Sequence, residues 1–455
     1  MSRRPTGARG PVRPLLGLLL AMAVSNAGTR VSAVAFPWFV LATTGSATKT
    51  GLVALFELAP YVLVKALSGP WIDRVGGRSI SWSADLVSAA AAATIPVLYA
   101  VDRLTLPVFL ILVAVVGAAR GPGDLAKEIM VPDAAERAHV PLVRATGLSS
   151  TVERLASTAG PALGGVLIAV AGPVAGVAVN AACFVLGSVV VAFALPRGMG
   201  RPHTRADAEV SDEPGDGYLH QLAEGASFLR RDPLLVAIVV MVGITNLLDV
   251  AYIGVLLPVW ARDSGGGAAT VGLLLTVSSA GAVVGSLLAS ALAHRMPRRL
   301  VFFGGFLVAG APRFLVLLLD VPGPVVVAVL AVGGVGAGFL NPILGAILFE
   351  RVPRRLYGRV GALSDSVAWA GMPLGGLLAG VAVTAVGLSP VLLVFGLTYF
   401  LTTSLTGLRP EWREMDARSG DAQRVGVGDE SEDAEEGADI VAEPPGPRVR
   451  PPGDQ

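Results

Sequence analysis

The chain is short of the residues from which soluble active sites are built. Charged residues make up 15% of its 455 positions, where soluble domains carry about a quarter, and the charges present gather into loop-sized clusters. A single cysteine, Cys183, stands in an apolar run. It excludes an intrachain disulfide and any cysteine-based metal site. The four histidines, His139, His203, His220 and His294, lie outside the predicted spans. There is no nucleotide-binding glycine loop, no nucleophile elbow and no soluble domain of useful size. No enzyme, cofactor or metal is therefore expected. The formal net charge of +1 averages over opposite regions and says nothing about nucleic acid, and since the charge clusters are loop-sized no nucleic-acid partner is expected.

What is abundant is apolar sequence. AVILMFWYC residues make up 53% of the chain, mean hydropathy is +0.67, and Leu104–Gly117, Val166–Leu195 and Gly396–Leu408 carry no charge at all. A membrane helix needs about 20 apolar residues. Twelve such helices are predicted, at 14–42, 50–69, 80–100, 105–128, 141–171, 173–195, 234–261, 268–293, 300–319, 325–349, 359–387 and 389–408. The chain divides into an N-terminal segment 1–13, a six-helix bundle 14–195, a linker 196–233, a second bundle 234–408 and a tail 409–455. Within the linker, Tyr218–Arg231 has apolar residues at helical spacing and reads as an amphipathic surface helix. The tail, rich in Asp, Glu, Gly and Pro, reads as disordered. Arg3–Arg13 followed by PLLGLLLAMAV imitates a signal peptide, but apolar sequence runs on to Leu41 and further spans follow, so an uncleaved first helix is expected. With the N-terminus inside, outer loops hold only Lys49, Arg103 and Arg262 as basic residues; the positive-inside bias puts both termini in the cytoplasm. Much Gly, Ala, Val and Arg with very little Lys is the usage of a high-GC bacterial genome.

Charges inside spans are costly and point to function or pairing. They are Arg30, Glu57, Lys65, Asp85, Arg120, Glu153, Arg154, Asp249, Arg313 and Asp365. Glu57, Tyr61 and Lys65 recur every four residues and share one helix face, turned toward the bundle. Arg30 is expected to meet Glu57, the nearest acid by depth, or Asp249 across the pseudo-symmetry axis. Glu153 and Arg154 precede a glycine-proline core, Gly160, Pro161, Gly164 and Gly165. Glycine there admits a neighbouring helix, and proline deletes an intrahelical hydrogen bond and allows a bend. Arg30, Glu57, Glu153 and Asp249 are read as functional. For Lys65 and Asp85 simple structural pairing is an equal reading, and for Arg313 and Asp365 it is the favoured one.

The stretch from Thr146, TGLSSTVERLASTAGPALGG, with Gly147, Gly160, Gly164 and Gly165 in register, resembles the antiporter motif on the fifth helix of major facilitator superfamily exporters. Ala156 stands where that motif has a glycine. Gly69-Pro-Trp-Ile-Asp73-Arg74-Val-Gly76-Gly77-Arg78 resembles the superfamily's signature loop between helices two and three. Arg120, in Arg-Gly-Pro-Gly, is similar to the arginine often found on helix four. The halves also resemble each other: Asn26, Arg30 and Pro37-Trp38 answer to Asn246, Asp249 and Pro258-Val-Trp260, and Gly371-Met-Pro373-Leu-Gly375-Gly376 repeats the core of helix five. TTGSATKTGL after helix one is similar to the drug and macrolide-efflux and enterobactin-exporter branch.

The resemblance implies an all-α polytopic membrane protein, its 12 transmembrane helices forming two pseudo-symmetric six-helix bundles with a substrate site between them. It implies a monomeric antiporter of the cell membrane exporting a small amphipathic compound against protons. Glu153, Arg154, Glu57 and Asp249 would couple the proton. Asn26, Arg30, Glu57, Tyr61, Arg120, Asn246, Asp249, Tyr252 and Trp369 would line the cavity. Gly69 and Gly76 would shape a gate in which Asp73 faces the N-terminal dipole of helix eleven and Arg74 or Arg78 pairs with Asp124 or Glu128. Two alternatives stay open: a symporter or uptake permease of the same fold, and a non-transporting membrane receptor or scaffold.

Overall fold

A computed structural model describes residues 12–200, 218–292, 298–353 and 356–407. Residues 1–11, residues 201–217 of the linker and the tail lie outside the described residues. Among the described residues, twelve helices are long and apolar enough to cross a membrane: Arg13–Thr44, Ala47–Leu67, Gly77–Ala100, Leu106–Arg137, Leu142–Ala171, Pro173–Ala194, Pro233–Asp263, Gly267–Leu292, Arg299–Leu318, Gly323–Leu348, Val360–Val386 and Leu388–Gly407. They are numbered here as spans one to twelve. The largest difference from expectation is span four, which continues to Arg137. Asp124 and Glu128 therefore sit well inside it, not at its end.

The turns follow from local chemistry. Ser46 caps span two by accepting from the Lys49 N–H at 3.3 Å, and Asp232 caps span seven by accepting from Leu234 and Leu235. Spans five and eleven both end on a left-handed glycine, Gly172 at φ 83° and Gly387 at φ 86°, a conformation that glycine adopts without steric cost. The same device at matching places in both halves is structural evidence of the duplication. The signature loop contains a short helix, Gly69–Val75, with Asp73 and Arg74 exposed. Tyr218–Arg231 is helical as expected, but it docks against span seven and the start of span eleven, with Leu229 buried.

Each bundle packs mainly within itself: spans one and six, three and four, and two and four in the first; spans eight and ten, seven and eleven, and nine and twelve in the second. The bundles meet along two seams, span two on span eleven and span five on span eight. A pseudo-twofold axis exchanges these seams, as duplication requires. Span one begins at what we term the near end, and both seams run through the far halves of their helices. A Cβ on Gly165 would lie 2.8 Å from the Ala268 carbonyl oxygen and 2.9 Å from the Gly272 Cα. On the other seam, a Cβ on Gly51 would overlap Gly376, and one on Gly380 would overlap the Ala47 carbonyl. At the far rim, the Thr48 and Thr384 hydroxyls lie 2.8 Å apart, Thr48 donates to the Gly380 carbonyl at 3.2 Å, and Arg262 donates to the Gly45 carbonyl at 2.9 Å. Among the described residues, no glycine contact of this kind joins the bundles toward the near end.

The far end is thus sealed by backbone-to-backbone packing that any side chain disrupts. Gly272→Leu would drive a branched side chain into the Pro161 carbonyl and Gly165. Spin labels at Lys49→Cys and Val386→Cys, in a Cys183→Ala background, should report a longer distance across the far rim in this variant. An unshifted distribution would show that the seam tolerates a side chain.

Candidate functional site

A cleft between the bundles is lined by neighbouring recesses, some carried by one bundle and some shared by both. One of about 290 Å³ is carried by the first bundle and bears Asn26, Arg30, Tyr61, Arg120 and Glu153. One of about 270 Å³ is carried by the second and bears Asn246, Asp249, Tyr252, Arg313 and Tyr399. A more apolar recess of about 400 Å³ lies between spans seven, ten and eleven. Glu153 lines both the first recess and a polar one at the seam of spans five and eight. Trp369 lines the first and the apolar recess. Asn341 lines the seam recess and both in the second bundle. These shared residues place the recesses side by side.

The first wall belongs to a charge network on spans two and four, whose Glu57, expected to line the cavity, is paired to Arg120 and is not among the residues lining this recess. Arg120 Nη1 donates to Glu57 Oε1 at 3.1 Å, Nε lies 3.5 Å from Asp124 Oδ2, and the guanidinium stacks over the Tyr61 ring at 4.4 Å. The backbones come this close because Gly117 and Gly121 face the carbonyls of Glu57 and Tyr61, leaving no room for a Cβ. One turn on, Lys65 Nζ donates to Glu128 Oε1 at 3.1 Å. Deeper in the same bundle, Lys127 donates to Asp85 at 2.7 Å with both side chains at most 3% exposed, and Ser25 donates to the other Asp85 oxygen at 3.4 Å. In the second bundle Arg313 pairs with Asp249, its guanidinium 4.9 Å from the Tyr252 ring, 5.1 Å from Phe314 and 5.3 Å from Tyr399. Asn246 donates to the Ala368 carbonyl at 3.1 Å, tying span seven to span eleven.

This geometry corrects several expectations. Arg30 meets neither Glu57 nor Asp249, because Arg120 takes the first and Arg313 the second. The acid acting most strongly on Arg30 is Glu153, brought close because Gly160 leaves space for the Arg30 stem. Glu153 is not buried; it and Arg154 are exposed to the cleft and form no ion pair with each other. Arg78 does not reach Asp124 or Glu128. It donates to the Leu195 and Ala192 carbonyls at the end of span six, while Asp124 and Glu128 serve Arg120 and Lys65. Asp73 and Arg74 have no hydrogen-bond or ion-pair partner among the described residues. Gly147 has open space where its Cβ would be, so it makes no close contact. Gly160 and Gly164 pack on Arg30 and Val31 of span one, and Gly165 packs on span eight. Span five, with Pro161 inside it, remains one helix from Leu142 to Ala171. Sequence reasoning missed Lys127, Tyr399 and Asn341, and it underweighted Arg313. A basic residue inside an apolar run was the available signal for Arg313, but nothing marked Asn341.

The fold agrees with comparison to known proteins. The family described as transmembrane secretion effector (MFS_3) matches residues 15–430. The chain belongs to this family of the major facilitator superfamily. It is 32% identical over 407 residues to the multidrug efflux pump Tap of Mycobacterium tuberculosis, covering 89% of this chain and 95% of that protein. It is 22% identical over 404 residues to macrolide efflux protein A of Streptococcus pyogenes, covering 87% and 96%. Among solved structures, a mutant of the nucleoside transporter NupG superposes with a TM-score of 0.70 at 12% identity over 88% of this chain and all of that one. A bacterial homologue of the lysosomal transporter Spinster, in an inward-facing and unoccupied conformation, gives 0.67 at 15% identity over 90% and 99%. This major facilitator is therefore a bacterial multi-pass membrane transporter with the twelve-span fold expected from its sequence.

The Glu57–Arg120 pair, 12% and 10% exposed, makes a direct prediction. Breaking a buried pair from one side costs about 3–5 kcal/mol, whereas replacing both partners costs much less. Arg120→Met should therefore lower thermal stability of the purified protein far more than the double variant Glu57→Gln/Arg120→Met. Equal losses would mean that the two residues are not energetically coupled.

Proposed function

We propose that this major facilitator is a proton-coupled antiporter that exports a small amphipathic compound by alternating access, with both termini in the cytoplasm. The observation that carries the reading is the exposed carboxylate of Glu153 on span five, lining a recess with Arg30, in a cleft whose far end is sealed and whose near end has no such seam among the described residues. The basic bias of the near-end loops makes that end cytoplasmic, so this state faces inward. The efflux roles in the names of Tap and macrolide efflux protein A support export. In this mechanism the bundles rock about the glycine seams, opening the far end and closing the near end. Glu153 takes up a proton from the outer side and gives it up inside, where Arg30 stabilises the charged form. Apolar and aromatic walls hold the body of the substrate, and a few polar groups orient it.

Two experiments test this reading. Glu153→Gln keeps size and hydrogen bonding but cannot exchange a proton. In proteoliposomes it should abolish uphill, gradient-driven efflux and retain downhill exchange. Uphill transport surviving at normal stoichiometry would leave Glu153 a structural role only. Flux in the opposite direction would make the protein an importer, and absence of any flux in the wild type would make it a receptor or scaffold. At the gate, Asp73 would meet the start of span eleven when the near end closes. Asp73→Asn should slow turnover by an order of magnitude or so while leaving ligand binding intact. Wild-type transport by purified Asp73→Asn protein would remove the gate.

A further inference from the structure

Toward the near end, one side chain of the first bundle reaches across the cleft to the second. Lys65 Nζ lies 5.4 Å from the centre of the Trp369 ring on span eleven and 5.8 Å from that of Tyr61 on its own span. It is held by Glu128 Oε1 at 3.1 Å, and Asp365 lies within its electrostatic reach. Two aromatic rings, Trp369 and Tyr61 (the latter also carrying the Arg120 guanidinium at 4.4 Å), with carboxylates beside them form a receptor for a cation, since ring quadrupole and charge act together. Here the receptor is occupied by the protein's own ammonium.

The surroundings indicate that this occupant can leave. Glu128 is 55% exposed and Lys65 15%, and both line the first recess, so ligand reaches the pair from the carboxylate side. Of 35 basic residues only Lys49, Lys65 and Lys127 are lysines. Lysine is a compact point charge on a flexible stem, without the fixed two-pronged hold of arginine. The contrast with Lys127 is direct: that ammonium is sealed against Asp85 with both side chains at most 3% exposed. Trp369 also forms part of the wall of the 400 Å³ apolar recess, which offers room for an organic body next to the charge site.

We infer that Trp369, Tyr61 and Glu128 form a binding site for an organic cation, and that Lys65 is its tethered occupant, displaced when such a substrate binds. The inference rests on the reading of the cleft as a substrate path and names the chemical class that the path accepts. Displacement also breaks a bridge between the bundles, so a cation that takes the place of Lys65 releases one contact that holds them together.

Direct binding of tetraphenylphosphonium to the purified full-length protein, by calorimetry in detergent, tests the site. Lys65→Met keeps the stem and removes the competing charge; it should bind about five- to tenfold more tightly than wild type. Trp369→Ala and Glu128→Gln should each bind about five- to tenfold more weakly, and Trp369→Phe should keep most of the affinity, which separates loss of the ring from loss of the fold. Neutral triphenylphosphine oxide should bind Lys65→Met and wild type equally. Unchanged or weaker tetraphenylphosphonium binding by Lys65→Met, or wild-type binding by Trp369→Ala, would overturn the inference, as would a matching gain for the neutral compound. Because these readings are of binding, they remain decisive if proton-driven flux is absent, and flux can be present when they fail.

Discussion

A charge placed inside an apolar span costs about 2.5–3.5 kcal/mol at mid-membrane, and the cost falls only when the charge meets a partner or reaches water. Most of the interior of this transporter follows from that constraint. Glu57 and Arg120 join spans two and four, Asp85 and Lys127 join spans three and four, and Asp249 and Arg313 join spans seven and nine. Each pair therefore fixes two helices in register as well as neutralising two charges. A buried pair contributes little net stability compared with apolar packing of similar volume; what it contributes is a penalty on any arrangement that separates the partners. Of the charges without such a partner, Glu153 and Arg154 are on span five, exposed at the seam between bundles.

The second constraint is the absence of side chains along the seams. Gly165 on Gly272 and Gly51 on Gly376 let the bundles meet backbone to backbone at the far end, which is how helices associate where lipid and side chain are equally apolar. Such contacts hold no bulky side chain that must be withdrawn before the surfaces part. The bundles are thus joined by glycine seams at one end and separated by a charged cleft toward the other. The second bundle is less regular than the first. Span seven has a wide π-type turn at Tyr252–Leu256, and span nine breaks at Gly310, where a Cβ would collide with the Tyr399 ring. Such irregular turns are tolerated at this depth because neighbouring protein or a cavity satisfies the backbone.

The twelve spans, the duplicated halves and the cleft's principal charges were legible in the sequence because each is a local property. Hydropathy over a single helix marks a span, and an isolated Glu57, Arg120, Asp249 or Glu153 stands out against it. Partners were not legible. Arg30 was matched to Glu57 by depth, whereas Gly117 lets span four come so close to span two that Arg120 takes Glu57 instead. Arg78 was matched to an acid, whereas the nearby end of span six offers it free carbonyls, the unsatisfied acceptors of every helix terminus.

By itself, the sequence determined that the chain crosses a membrane twelve times and that it repeats one plan, since the price of burying polar backbone leaves a run of apolar residues no other solution than a helix. It also determined which residues had to be accounted for, because a charge in such a run is conspicuous. Only the tertiary structure decided which charges cancel and which remain available. That depends on how close two helices approach and which faces they present, and both are set by small residues such as Gly117, Gly160 and Gly165 far from the charges in sequence. Lys65 shows the difference: its position on a polar face was readable, but that it spans the cleft to Trp369 depends on how two separate bundles are set against each other.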